Sequence, residues 1–167
     1  MIAATGCGER SGDQPSTAAE ASDTPRFEGG ASSLEDLADA VVLALTSSDT
    51  AGLEAIRFTE TEHNQLIWPH FPAAQQDPPF PVDLAWENIQ IRNSAAIETL
   101  IPRFEGREFV VTRASCAGGE EEFPTFRVLR GCEIVVVEPS GVERTINPFL
   151  SAVMMDGRLK IVRYDRG

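Results

Sequence analysis

The sequence predicts an α+β fold, with N-terminal helices packed on an antiparallel sheet. Three observations carry this. Apolar residues recur at helical spacing over the first half of the chain, as in Leu34, Leu37, Ala38, Val41, Val42 and Leu45. From Phe109 onward the pattern changes to β-branched runs such as Ile134-Val135-Val136-Val137. Near the end, Asp156-Gly157 is the residue pair that a two-residue hairpin demands. Helices first and antiparallel strands after is the order of an α+β domain.

The elements follow one by one. Ser32-Ser33-Leu34-Glu35 reads as a capping box that opens the first helix, which ends near Ser47. Asp49 caps a short second helix through Leu53 and Ile56. Thr59-Glu60-Thr61-Glu62 repeats the capping-box logic for a third, which Trp68-Pro69 ends. The five prolines between Pro69 and Pro81 predict a loop, and Asp83 then opens a long helix from Leu84 to Ile101, with Pro102 near its end. Strands are expected at Phe109 to Ser115, Glu133 to Glu138, Val142 to Met155 and Arg158 to Tyr164. Counting outward from Asp156-Gly157 pairs Met154 with Leu159, Ala152 with Ile161 and Leu150 with Arg163. That face is expected to pack on the helices. The opposite face, with Val153, Met155, Lys160, Val162 and Tyr164, reads as a mixed surface.

The start of the chain speaks to location. Ala4-Thr5-Gly6-Cys7 resembles the end of a bacterial lipoprotein signal, in which small residues precede the cysteine that receives the lipid. Only six residues precede Cys7 and none is basic, so this reading expects the start codon to lie upstream of Met1. The alternative is an incidental cysteine in a cytoplasmic protein. Gly8 to Gly30 is poor in large apolar residues, Phe27 apart, and reads as a flexible tether. The expected organisation is therefore a tether over 1–30 and a single domain over 31–167, on the bacterial cell envelope, meeting the membrane through the lipid alone. A net charge of −12 argues against nucleic acid as a partner.

If Cys7 carries lipid, Cys116 and Cys132 form an even pair in a compartment that permits disulfides. A bond between them would close an acidic, glycine-containing loop. The competing reading has two free thiols: a tight hairpin about Gly118-Gly119 would set Cys116 near Phe126 and carry Cys132 out of reach. Two sulfurs without clustered histidines do not make a zinc site, and no metal or other cofactor is expected.

The helices Leu34 to Leu45, the following Asp49, and the closing Met154-Met155-Asp156-Gly157-Arg158-Leu159-Lys160-Ile161 together resemble the nuclear transport factor 2-like superfamily. Its members often carry Gly-Arg-Trp-Lys where this chain has Gly157-Arg158-Leu159-Lys160. The resemblance implies a curved, cone-like sheet wrapped around a long helix, with a pocket inside. Its enzymes, such as ketosteroid isomerases and polyketide cyclases, place an acidic or histidine base and a Tyr or acidic donor there.

Candidates for such roles are few. Tyr164 lies near the C-terminus, where fraying is expected. His63 is expected on a hydrated helix surface beside Glu60, Glu62 and Asn64, and His70 in a loop. Neither is expected to support catalysis. Trp68, Phe71, Phe80 and Trp86 gather around the proline-rich loop, and Gln90 and Asn93 share a helix face with Trp86 and Ile97. Trp68, Trp86, Gln90 and Asn93 are thus the candidate walls of a small-molecule pocket, the alternative being that the tryptophans pin the loop while Gln90 and Asn93 face solvent. The sequence favours an exported, lipid-anchored, non-catalytic domain that binds a ligand or partner. Two other readings stand beside it: a cone-fold isomerase, cyclase or dehydratase acting on a small apolar molecule, and a subunit that meets a protein partner or a second copy through its sheet face.

Overall fold

A computed structural model describes residues 26–166. Cys7 and the polar stretch through residue 25 lie outside the described residues. Helix α1 (Leu34–Thr46) starts at Ser33, whose hydroxyl accepts from the Asp36 N–H at 3.0 Å. The cap thus closes on Asp36, which also accepts from the Ser32 hydroxyl, rather than on Glu35. Asp49 caps α2 (Thr50–Ala55) at the Gly52 N–H, 2.9 Å away. Thr59 and Glu62 form the full capping box of α3 (Glu60–Glu62), which runs on into a π-helical turn at His63–Ile67 and 3-10 turns at Trp68–His70 and Pro72–Ala74.

The long helix α4 spans Val82–Phe104, longer at both ends than Leu84 to Ile101. Pro102 does not stop it. Near a helix end Pro forfeits one hydrogen bond, and the ladder resumes with the Glu105 N–H on the Ile101 carbonyl at 2.8 Å. The turn that ends the helix needs Gly106, whose φ of +69° is open to glycine and strained for other residues.

Among the described residues, seven strands form two antiparallel sheets. One runs in the order β1 (Val110–Cys116), β4 (Cys132–Val137), β5 (Glu143–Ile146); the other β2 (Glu120–Glu122), β3 (Arg127–Arg130), β6 (Phe149–Met155), β7 (Arg158–Tyr164). The single strand expected from Val142 to Met155 is two strands, broken at Asn147-Pro148, where proline cannot donate to a ladder. The break hands the chain from one sheet to the other. A disulfide joins Cys116 to Cys132, with an S–S length of 2.03 Å, across directly paired positions of β1 and β4. The segment between them folds back as the separate β2–β3 hairpin, so the alternative pairing of Cys116 near Phe126 does not occur.

The β6–β7 hairpin has the expected register at Met154–Leu159 and Ala152–Ile161. Past Ala152 a bulge shifts it by one, so Arg163 pairs with Ser151 instead of Leu150, and Leu150 turns outward. Both faces of this hairpin are covered. Ala152, Leu159 and Ile161 join Leu37, Val41, Leu45, Ile97 and Leu100 of the helices and Ile134 and Val136 of β4 in one core. Val153 and Met155, expected on a mixed surface, are buried with Phe27, Phe58, Ile67, Phe126 and Val128 in a second core. Each fully buried Leu, Ile or Phe contributes about 1.5–3 kcal/mol. Phe27 shows that ordered packing begins ahead of residue 31. No described helix is long and apolar enough to cross a membrane.

Candidate functional site

The site is built from the second core outward. The Thr59–Glu62 capping box fixes where α3 begins, and the π turn after it widens the helix by a residue, a distortion that often marks functional positions. His63 and Ile67, four apart, both point inward. The run then tightens into the 3-10 turn Trp68–His70, which carries Pro69, and Trp68 packs on the His63 ring. The imidazole stacks on Phe58 with ring centres 5.9 Å apart, and lies 5.6 Å from Trp68 and 5.3 Å from Trp86. It is 1% exposed, contrary to the hydrated surface position its polar neighbours suggest.

Beside this aromatic cluster lies a cavity of about 640 Å³, within the usual range for small-molecule sites. Phe58, His63, Ile67, Trp68 and Phe71 form one wall, and Val128, Val153 and Val162 of β3, β6 and β7 form the floor. Helix α4 closes a third side with Asn88, Ile89 and Arg92. Arg130 and Arg163 stand with Arg92 at the mouth, and the lining contains no carboxylate. A wider depression of about 1090 Å³ lies between residues 26–29, α3 and the Asp156 turn. Its lining is more polar than apolar, the reverse of the aromatic cavity, and it borders the first described residues.

Of the four expected wall residues, only Trp68 lines the cavity. Trp86 stands behind His63 and braces it. Gln90 accepts from Arg57 Nη1 at 3.2 Å. Asn93 is fully buried and structural: its amide donates to the Ile89 carbonyl at 3.0 Å, and its Oδ1 accepts from the Tyr164 N–H at 2.8 Å. The Trp86-Gln90-Asn93 stripe therefore faces the protein interior, and the neighbouring stripe of Ile89 and Arg92 faces the cavity. Tyr164 is not frayed. It is 2% exposed and its hydroxyl donates to the Leu53 carbonyl at 2.7 Å. Burial raises its pKa far above the usual tyrosine range. It is thereby a structural anchor rather than a proton donor. His70 rests edge-on against Phe126, half-buried.

The chemistry available is limited by what surrounds His63. Its Nδ1 lies 2.6 Å from Asn64 Oδ1 and donates to it, which leaves the lone pair of the neutral ring on Nε2. Burial pushes its pKa down, against smaller opposite effects from the Asn64 bond and the Glu60 charge. The partner of the ring is thus an amide and not a carboxylate. Among the described residues no group of His, Cys, Asp and Glu is placed to hold a metal ion. The arrangement can enclose an apolar molecule, stack on it, and present positive charge at its entrance.

Sequence reasoning missed Phe58, the three valines and the three arginines. The only available signal was Val153 and Val162 on the hairpin face read as mixed. No family model matches the chain, and comparison with curated proteins and with solved structures also finds no match.

Proposed function

We propose that the chain is an exported, lipid-anchored, non-catalytic domain that binds a small apolar molecule in the aromatic cavity. The single observation that carries the reading is the composition of that cavity: four aromatic rings and three valines around about 640 Å³, with no carboxylate in the lining. Such a surface gains from the release of water by an apolar guest and offers it stacking faces. The disulfide supports an oxidising compartment, where such bonds persist. The Ala4-Thr5-Gly6-Cys7 motif supports attachment to the envelope by lipid at Cys7. The order of helices, long helix and closing Asp-Gly hairpin supports a place in the nuclear transport factor 2-like superfamily.

Titration with Nile red, a neutral apolar fluorophore, tests the binding. Saturable binding is expected, and it should be lost in Val162→Trp and in Ala73→Trp, which fill the cavity from opposite walls. Equal binding by both folded variants would contradict the reading. For the anchor, Cys7→Ser in the full gene should release the protein from the membrane fraction of a bacterial host.

One observation favours the alternative of an isomerase, cyclase or dehydratase: a neutral histidine at the cavity wall with its Nε2 lone pair unengaged. As an enzyme the site would use His63 as a general base on an apolar substrate. Turnover abolished by His63→Gln, with ligand binding retained, would establish it.

A further inference from the structure

We infer that the ligand is an anionic amphiphile, with an apolar body against the aromatic wall and a carboxylate held between Arg92 and Arg163. The inference rests on the reading of the cavity as a ligand site. It starts from charge. Carboxylates outnumber cationic side chains 26 to 14 in this chain, yet every ionisable side chain at the mouth of the cavity is an arginine.

The three arginines are not equivalent. Arg130 is already paired with Glu121. Arg57, Arg127, Arg144 and Lys160 elsewhere are also paired with carboxylates. Among the described residues, Arg92 and Arg163 make no ion pair. Other described arginines, Arg107 and Arg113 among them, also make no ion pair among the described residues; what sets Arg92 and Arg163 apart is that both line an apolar cavity whose own lining holds no carboxylate. They come from different elements, Arg92 from α4 and Arg163 from β7, and both also border a shallow groove of about 290 Å³ that Asp165 and Arg166 line as well. Because both line the same cavity, one guest can meet both guanidiniums.

The planar guanidinium fork matches a carboxylate with two parallel hydrogen bonds, which a single ammonium cannot do. Arg163 is half-buried, so its field is less screened than that of a surface charge. His63 deeper in the wall adds no charge of its own at neutral pH, because burial keeps it neutral. The guest therefore meets an apolar interior and a positive rim, in that order of depth.

Three probes of equal chain length separate the possibilities: decanoate, decanol and decylammonium, each displacing Nile red from the full chain at neutral pH and low salt. Decanoate should bind about tenfold tighter than decanol, a difference in the range of one charge-assisted hydrogen-bonded contact. Decylammonium should bind most weakly. The preference for decanoate should shrink as salt is raised. The ratio of decanoate to decanol affinity should fall to about one in the Arg92→Gln, Arg163→Gln double variant, by the same arithmetic. It should persist in Arg107→Gln, which removes a positive charge outside the cavity lining. Equal affinity for decanoate and decanol, or a preference for decylammonium, would overturn the inference and leave the cavity reading standing. Failure of all three probes and of Nile red itself would overturn both.

Discussion

The ammonium of Lys160 lies 2.8 and 2.9 Å from the two carboxylate oxygens of Glu62, with both side chains buried. The same carboxylate accepts from the Thr59 N–H at 2.7 Å and the Glu28 N–H at 2.8 Å. One pair thus ties β7, the start of α3 and the segment carrying Phe27 together, and Phe27 covers it with its ring 5.5 Å from the ammonium.

Breaking this pair from one side should be severe, because the remaining charge is left buried. Lys160→Met is expected to cost about 3–5 kcal/mol of folding free energy. Adding Glu62→Gln to it should cost less than the sum of the two single changes, since the second change removes the stranded charge. Chemical denaturation of the four proteins measures this. Strict additivity would mean that the pair contributes nothing as a pair.

The His63 environment predicts a pH dependence with a definite sign. Burial lowers the folded-state pKa below the ordinary value of 6.5, so the unfolded chain binds more protons as pH falls through that value. The stability from keeping His63 neutral is complete above about pH 6.5 and is lost as pH drops toward the folded-state pKa. Melting midpoints should fall across this window, and His63→Gln should flatten the slope. An unchanged slope in His63→Gln would place the titration elsewhere.

Asn93 is expected to act on stability alone. Asn93→Ala removes the acceptor of the buried Tyr164 N–H and should cost about 1–3 kcal/mol. Nile red affinity of the folded variant should remain, because Asn93 does not line the cavity. A tenfold loss of affinity with no loss of stability would return Asn93 to the site.

Reduction of the Cys116–Cys132 bond should lower the melting midpoint. Its two ends are 16 positions apart, and freeing a loop of that size restores chain entropy of about 3 kcal/mol to the unfolded state. The oxidised domain should show neither thiol to an exchange reagent. Two titratable thiols at positions 116 and 132 in the folded, oxidised protein would contradict the structure.

What was legible in the sequence was local. The Asp49 and Thr59 caps and the Asp156-Gly157 turn are set by residues within a few positions of each other, and they appear where the residues place them, while the first cap forms one residue later than Ser32 and Glu35 suggest, at Ser33 and Asp36. The stripe of Trp86, Gln90, Asn93 and Ile97 was also correctly grouped. Which side of α4 would front a cavity depended instead on how β7 docks, and Tyr164 claimed the Asn93 side. His63 was misjudged for a similar reason. Its neighbours Glu60, Glu62 and Asn64 are polar, but Glu62 is consumed by Lys160, which is 98 positions away. The bulge near Leu150 and the break at Pro148 reassign one strand to two sheets, an outcome that periodicity within Val142 to Met155 does not contain.

Entry of an apolar guest into the cavity beside Trp68 can be read from the indoles of the protein itself. The chain has two tryptophans, so its ¹H–¹⁵N spectrum should contain two indole signals, assignable with Trp86→Phe. On addition of decanol the Trp68 signal should move saturably. The Trp86 signal, behind His63 and outside the lining, should move less. A Trp68 signal that stays in place up to the solubility of the probe would mean that the cavity takes no apolar guest.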